Sequence, residues 1–122
     1  MGRPGITLNG DSNNDGTGDV RVLEITSGNV VLNDLILTKG KTLGKNGAGI
    51  LVNTGATLTL NRCQLLDNQT NVQGGGIQND GTLIVNNSTL ARNTATVGGS
   101  INNTGQLTIT NSTFANNSAT ST

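Results

Sequence analysis

The sequence predicts an all-β protein wound as a right-handed parallel β-helix, a solenoid of about 24 residues per rung and roughly four to five rungs. Three observations carry the prediction. The chain repeats internally at that length, apolar residues alternate at period two inside each copy, and the corners between strands are rich in Gly and Asn.

The repeat comes first. Residues 47–68 (GAGILVNTGATLTLNRCQLLDN), 74–93 (GGGIQNDGTLIVNNSTLARN) and 98–117 (GGSINNTGQLTITNSTFANN) align. The step is 24 from Leu83 to Leu107, Val85 to Ile109, Leu90 to Phe114 and Asn93 to Asn117. It is 25 from Leu58 to Leu83 and 26 from Asn53 to Asn79, so the extra residues near Ala56 and in QTNVQ fall at turns. A degenerate copy, GNVVLNDLILTKG at 28–40, pairs Val30, Leu32, Leu35 and Leu37 with Leu58, Leu60, Cys63 and Leu65. The expected rungs are therefore 20–46, 47–73, 74–97 and 98–122. Residues 1–19 form an N-terminal strand and turn, as a partial rung or a cap.

Strand assignment follows from the alternation. Leu58 and Leu60, Leu83 and Val85, Leu107 and Ile109 mark strands with one buried face. A second short strand runs through Cys63 and Leu65, Ser88 and Leu90, Ser112 and Phe114, and a third surrounds Ile77 and Ile101. The expected core is Leu58, Leu60, Leu65, Ile77, Leu83, Val85, Leu90, Ile101, Leu107, Ile109 and Phe114. No window keeps a 3.6-residue period, and Gly, Asn and Thr are poor helix formers.

The corners have their own logic, because Asn and Gly tolerate the positive φ that tight bends need. Asn53, Asn79 and Asn103 recur before the first strand together with Gly55, Gly81 and Gly105. Asn68, Asn93 and Asn117 recur after the second. At a rung spacing of about 4.8 Å, stacked Asn side chains can hydrogen-bond along the axis, so both Asn columns are expected to be structural ladders.

Composition narrows the function classes. Hydrophobic residues make up only 32%, but net charge is zero and Pro4 is the one proline, which favours order over disorder. Balanced charge gives no reason to expect nucleic acid as a partner. No stretch approaches the roughly 18 apolar residues that would insert into a membrane. The first residues lack the apolar core of a signal peptide, and because the chain opens in mid-pattern it is expected to be a segment of a larger protein. Cys63 is the single cysteine and aligns with Ser88 and Ser112, the mark of a small packed residue.

The pattern GGGI-x-N-x-G-x-L-x-V-x-N-S-T-x-x-x-N resembles the right-handed parallel β-helix repeats of bacterial surface proteins. These are polymorphic outer-membrane proteins, autotransporter-type passenger domains and large cyanobacterial repeat proteins, pectate-lyase-like in fold. The resemblance covers residues 20–122 and departs at Ser100, which replaces the third Gly of the motif. It implies a secreted or cell-surface setting, extracellular or on a bacterial surface, and a role as a rigid stalk or adhesin scaffold. The fold alone does not fix function, since the same scaffold serves lyases, hydrolases and passive spacers.

Candidate sites are few. Without His there is no imidazole base, and the acids beyond the first three are scattered over different rungs, so no enzyme is expected within the segment. The alternative is a piece of a carbohydrate-active enzyme of the lyase or hydrolase type whose catalytic residues lie outside it. Asp67 and Arg92 align for an exposed cross-rung ion pair. The one sharp local motif is DSNNDGTGD at 11–19. Oxygens of Asp11, Asn13, Asp15 and Asp19, the carbonyl of Thr17 and a sixth-position Gly16 resemble the start of an EF-hand or dockerin-type Ca²⁺ loop. Val22 stands where the bidentate Glu belongs. Two readings stay open, a Ca²⁺ loop and, favoured, a solvated turn into the first rung; otherwise no cofactor is expected. The expected partners are a second copy stacked end to end or flanking rungs of the parent protein.

Overall fold

A computed structural model describes residues 6–121 and places seventeen strands and no helix among them. The first five residues of the N-terminal stretch lie outside the described residues. β1 (Ile6–Asn9) opens the chain. The first rung is β2 (Leu23–Ile25), β3 (Asn29–Asn33), β4 (Leu35–Thr38) and β5 (Lys41–Thr42). The second is β6 (Ile50–Val52), β7 (Thr57–Asn61), β8 (Gln64–Leu66) and β9 (Gln69–Thr70). The third is β10 (Ile77–Asn79), β11 (Thr82–Asn86), β12 (Thr89–Ala91) and β13 (Thr94–Ala95). The fourth is β14 (Ile101–Asn103), β15 (Gln106–Thr110), β16 (Thr113–Ala115) and β17 (Ser118–Ala119).

Corresponding strands stack into four parallel sheets, ordered β2-β6-β10-β14, β3-β7-β11-β15, β1-β4-β8-β12-β16 and β5-β9-β13-β17. The architecture is a parallel β-solenoid of four full rungs, with β1 starting another above β4. Each rung carries four strands where the sequence predicts three. The fourth is only two residues long in every rung, too short for alternation to show.

Register puts like over like. Leu58 pairs with Leu83 and Leu83 with Leu107; Leu60 pairs with Val85 and Val85 with Ile109. The degenerate copy falls into the same columns, Val30 on Leu58 and Leu32 on Leu60. Leu37, Leu65, Leu90 and Phe114 make a third apolar column. Leu58, Leu60, Leu65, Ile77, Leu83, Val85 and Leu90 are completely buried. Each such side chain contributes roughly 1.5–3 kcal/mol through removal from water.

The core expectation is corrected at its last rung. Ile109 is 43% exposed and Phe114 40%, while Ile101 and Leu107 are only half-buried. They occupy the right columns, but no described strand pairs beyond them to cover their outer side.

Two corners recur with a left-handed residue in every rung. Asp34, Arg62, Asn87 and Asn111 turn the chain out of β3, β7, β11 and β15 with φ of 60°, 54°, 51° and 48°. Lys39, Asp67, Arg92 and Asn116 do the same after β4, β8, β12 and β16. Asn and Asp adopt this region readily, Arg and Lys much less so; coil closure sets the corner and the sequence adapts. Charge is then stacked at each corner. Arg62 donates to Asp34 at 2.8 Å, and Arg92 to Asp67 at 2.8 Å, the second being the expected pair. Both pairs are exposed, so each adds at most about 1 kcal/mol.

Two kinds of glycine hide inside the Gly-rich motif. Gly47, Gly74 and Gly98 take positive φ ahead of β6, β10 and β14. Gly76 instead has no room, because a Cβ there would lie 2.6 Å from the Ser100 carbonyl oxygen one rung on. Ser100, at the equivalent place in the last rung, keeps a buried Oγ without a hydrogen-bond partner.

Position along the axis sets the cost of a cavity. Leu83→Ala should destabilise by about 2–5 kcal/mol, whereas Leu107→Ala, half-exposed on the last rung, should cost clearly less. Urea unfolding of both variants tests this; equal losses would contradict a core that fades at the end rung.

Candidate functional site

The most ordered polar feature is the column Asn68, Asn93, Asn117. Asn68 and Asn93 are completely buried. The Asn93 Oδ1 accepts both the backbone N–H of Asn68 (3.1 Å) and its Nδ2–H (2.9 Å). The Asn117 Oδ1 accepts the same two donors from Asn93, each at 3.0 Å. Each Nδ2 also donates to a leucine carbonyl one rung back: Leu37 for Asn68, Leu65 for Asn93 and Leu90 for Asn117. At the other end, Gly40 has no side chain, and its N–H donates to the Asn68 Oδ1 at 2.8 Å. Buried amides are costly unless paired, and this stacking pairs them.

The other predicted column is only partly formed. Asn79 Nδ2 donates to Asn103 Oδ1 at 2.6 Å. Asn53 is not below them: Val52 faces Asn79, and Asn53 donates to the Glu24 carboxylate at 2.9 Å. The reason is corner length. Four residues separate β6 from β7, against two between β10 and β11, so the longer corner absorbs Asn53. Gly55 is displaced with it. It makes a positive-φ turn with open space around it, whereas Gly81 and Gly105 sit where a Cβ would strike the neighbouring backbone.

Two further columns carry hydrogen bonds along the axis: an outer Asn column that the alignment of apolar positions does not mark, and the aligned Cys63, Ser88, Ser112 column. Asn33, Asn61 and Asn86 form an outer ladder, with Nδ2 to Oδ1 distances of 2.8 and 3.0 Å. Ser112 and Ser88 accept the backbone N–H one rung back, from Ser88 and Cys63. The Asn column could be found by extending the alignment beyond apolar positions. Cys63 ends this hydroxyl column as a buried free thiol, and burial raises its pKa.

The columns run out at the C-terminal rung. No described strand pairs with the outer edges of β14, β15, β16 and β17. Ile109 and Phe114 stand exposed on the same rung as Asn117, the last member of the buried ladder. Polar and apolar columns therefore end on one face, in the register a next rung would continue.

At the other end, the residues of the predicted Ca²⁺ loop do share one loop. Their oxygens are turned onto its own amides. Asp11 accepts from the N–H of Asp15 (3.1 Å) and Gly16 (2.7 Å), and Asn13 from Asp15 (3.2 Å). Asp15 accepts from Thr17 (2.8 Å) and Asp19 from Ser12 (3.0 Å). The Ser12 amide holds the Asp19 carboxyl below its ordinary pKa. Among the described residues no three His, Cys, Asp or Glu side chains converge as a ligand set.

No family model, no curated protein and no solved structure matches the chain.

The buried ladder makes a sharp demand on position 93. Asn93→Leu leaves the Asn68 N–H without its acceptor, takes one of two acceptors from the Asn68 Nδ2, and removes the Nδ2 donor from the Leu65 carbonyl and the Asn117 Oδ1, and should cost at least about 3 kcal/mol. Asn33→Leu, at the exposed end of the outer ladder, should cost under about 1 kcal/mol. Chemical denaturation of the two variants decides it, and similar small losses would refute the ladder as a buried strut.

Proposed function

We propose that this segment is a rod-forming structural module that extends itself by accepting a further rung of the same repeat on its C-terminal face. One observation carries the reading: the apolar columns through Ile109 and Phe114 and the ladder through Asn117 all end uncovered on one rung. A surface that offers alternating backbone groups and in-register apolar side chains is matched by another turn of the same solenoid. The occupant is a second copy stacked end to end.

The same reading makes the segment non-catalytic. The sequence has no His, and the described carboxylates are committed to structure. Asp34 and Asp67 hold arginines, and Asp80 accepts from Gln78 (2.6 Å) and Thr104 (2.7 Å). Work as a rigid stalk or adhesin scaffold, outside the cell or on a bacterial surface, is the part of the proposal that rests on the resemblance to β-helix repeats of bacterial surface proteins. It is supported by a stack whose rungs touch only their neighbours, about 20 Å long at the sheet spacing.

The test is the solution mass against concentration, by sedimentation equilibrium. The parent chain should associate as concentration rises. Ile109→Lys with Phe114→Lys should hold it monomeric while leaving the far-ultraviolet spectrum unchanged. A parent that stays strictly monomeric at millimolar concentration would overturn the stacking proposal.

A further inference from the structure

At the opposite end of the solenoid lies an open cleft of about 510 Å³ that the rod reading does not use. One wall is the segment 18–21, the other is β5 and the loop that follows it, 41–45. The walls are bolted together. Lys41 N–H donates to the Val20 carbonyl at 2.9 Å, and the Arg21 guanidinium donates to the carbonyls of Asn46 (2.7 Å) and Gly47 (2.8 Å). The loop is pinned from below as well, since the hydroxyls of Thr42 and Thr70 both donate to the Lys45 carbonyl, at 2.6 and 2.7 Å. Gly44 N–H donates to Asn71 Oδ1 at 2.7 Å. The backbone that carries Lys41 and Lys45 is therefore fixed.

Charge in this cleft is unbalanced. The ion pairs among the described residues use Arg21, Arg62 and Arg92, and none uses Lys39, Lys41 or Lys45. From residue 35 to residue 61 the sequence has these three lysines and no acid. Lys41 and Lys45 line the cleft, and Lys39 lines an adjoining hollow that shares Gly18 and Lys41. Asp19 also lines it; its carboxylate accepts from the Ser12 amide and keeps its negative charge, so the excess of positive charge comes from Lys41 and Lys45 against this one acid. Arg21 is spent on Glu24 and the two carbonyls. Lys41 and Lys45 are in none of the ion pairs among the described residues, and they share the lining with the exposed Val20 (44%) and Leu43 (74%).

We propose that this cleft binds a phosphate monoester whose organic group is apolar. Two ammoniums against the single Asp19 carboxylate leave the cleft net positive, which favours an anionic phosphate over a neutral ligand. Val20 and Leu43 offer contact to the group it esterifies, and the volume suits a small ligand. Fixed walls mean that little ordering cost falls on binding. End-to-end stacking would set this N-terminal rung against the C-terminal rung of a second copy, so the cleft is tested at protein concentrations where the chain is monomeric.

Titration of the ¹⁵N-labelled protein with phenyl phosphate at low ionic strength, followed by amide shifts, tests this. Shifts should saturate and centre on residues 18–21 and 41–45. Affinity should fall with added salt, and inorganic phosphate should bind more weakly than the phenyl ester. Lys41→Gln with Lys45→Gln should weaken binding at least about tenfold, the effect of about 1.4 kcal/mol. Lys45→Gln alone, an exposed loop position, should weaken it in the same direction and guards against misfolding of the double variant. Arg62→Gln, at a corner that lines neither the cleft nor the adjoining hollow, should leave affinity unchanged. The proposal falls if shifts never saturate or spread evenly over the surface. It falls equally if neutral phenyl glucoside binds as well, or if the lysine variants bind as tightly as the parent.

Discussion

Vertical stacking in register is the constraint on which the rest of this molecule depends. Parallel pairing sets each strand on its counterpart one turn away, and every other interaction inherits that alignment. Leucine lies on leucine or a close equivalent, so small aliphatic side chains fill a core with a single aromatic residue in the whole sequence. Asparagine lies on asparagine, so amides that would be expensive to bury are each satisfied by the next. A slip of one residue would turn the apolar columns outward and strand the amides together. Hydrophobic burial supplies much of the favourable energy, and the buried amides supply the specificity of register.

Much of this was legible in the sequence because a solenoid writes each spatial neighbour into a fixed sequence offset. Leu83 and Leu107 could be paired by counting, as could Asp67 with Arg92 and Asn93 with Asn117. Counting failed where rungs differ in corner length. Asn53 shares the local motif of Asn79 but sits in a corner two residues longer, and it was lost from the column. Pattern also says nothing about what covers a column, which is why Ile109 and Phe114 were assigned to the core. Their neighbours in sequence are those of buried residues, and they are exposed because no described strand pairs beyond β15 and β16. The two-residue strands β5, β9, β13 and β17 were invisible for a simpler reason, since two residues have no period.

The candidate sites divide the same way. Spacing alone singled out the acidic loop at 11–19, but spacing cannot say where oxygens point, and here they point at their own amides. The lysine cleft had no motif at all. It arises because Lys41 and Lys45 on one rung meet residues 18–21 of the turn before it, a contact made by coiling. One molecule thus presents two unlike ends, an apolar rung with an unfinished ladder and a cationic cleft beside a self-capped loop. The corners between them carry alternating charge that is already neutralised along the axis.

Methyl-to-methyl nuclear Overhauser contacts in a sample with ¹³C-labelled Leu and Val methyls test the stacking claim most directly. Leu83 should show a contact to Leu58 on one side and to Leu107 on the other, and Val85 to Leu60. Leu58 and Leu107, two rungs apart, should show none. Absence of the Leu83 contacts, or a direct contact between Leu58 and Leu107, would contradict a chain that coils once per repeat.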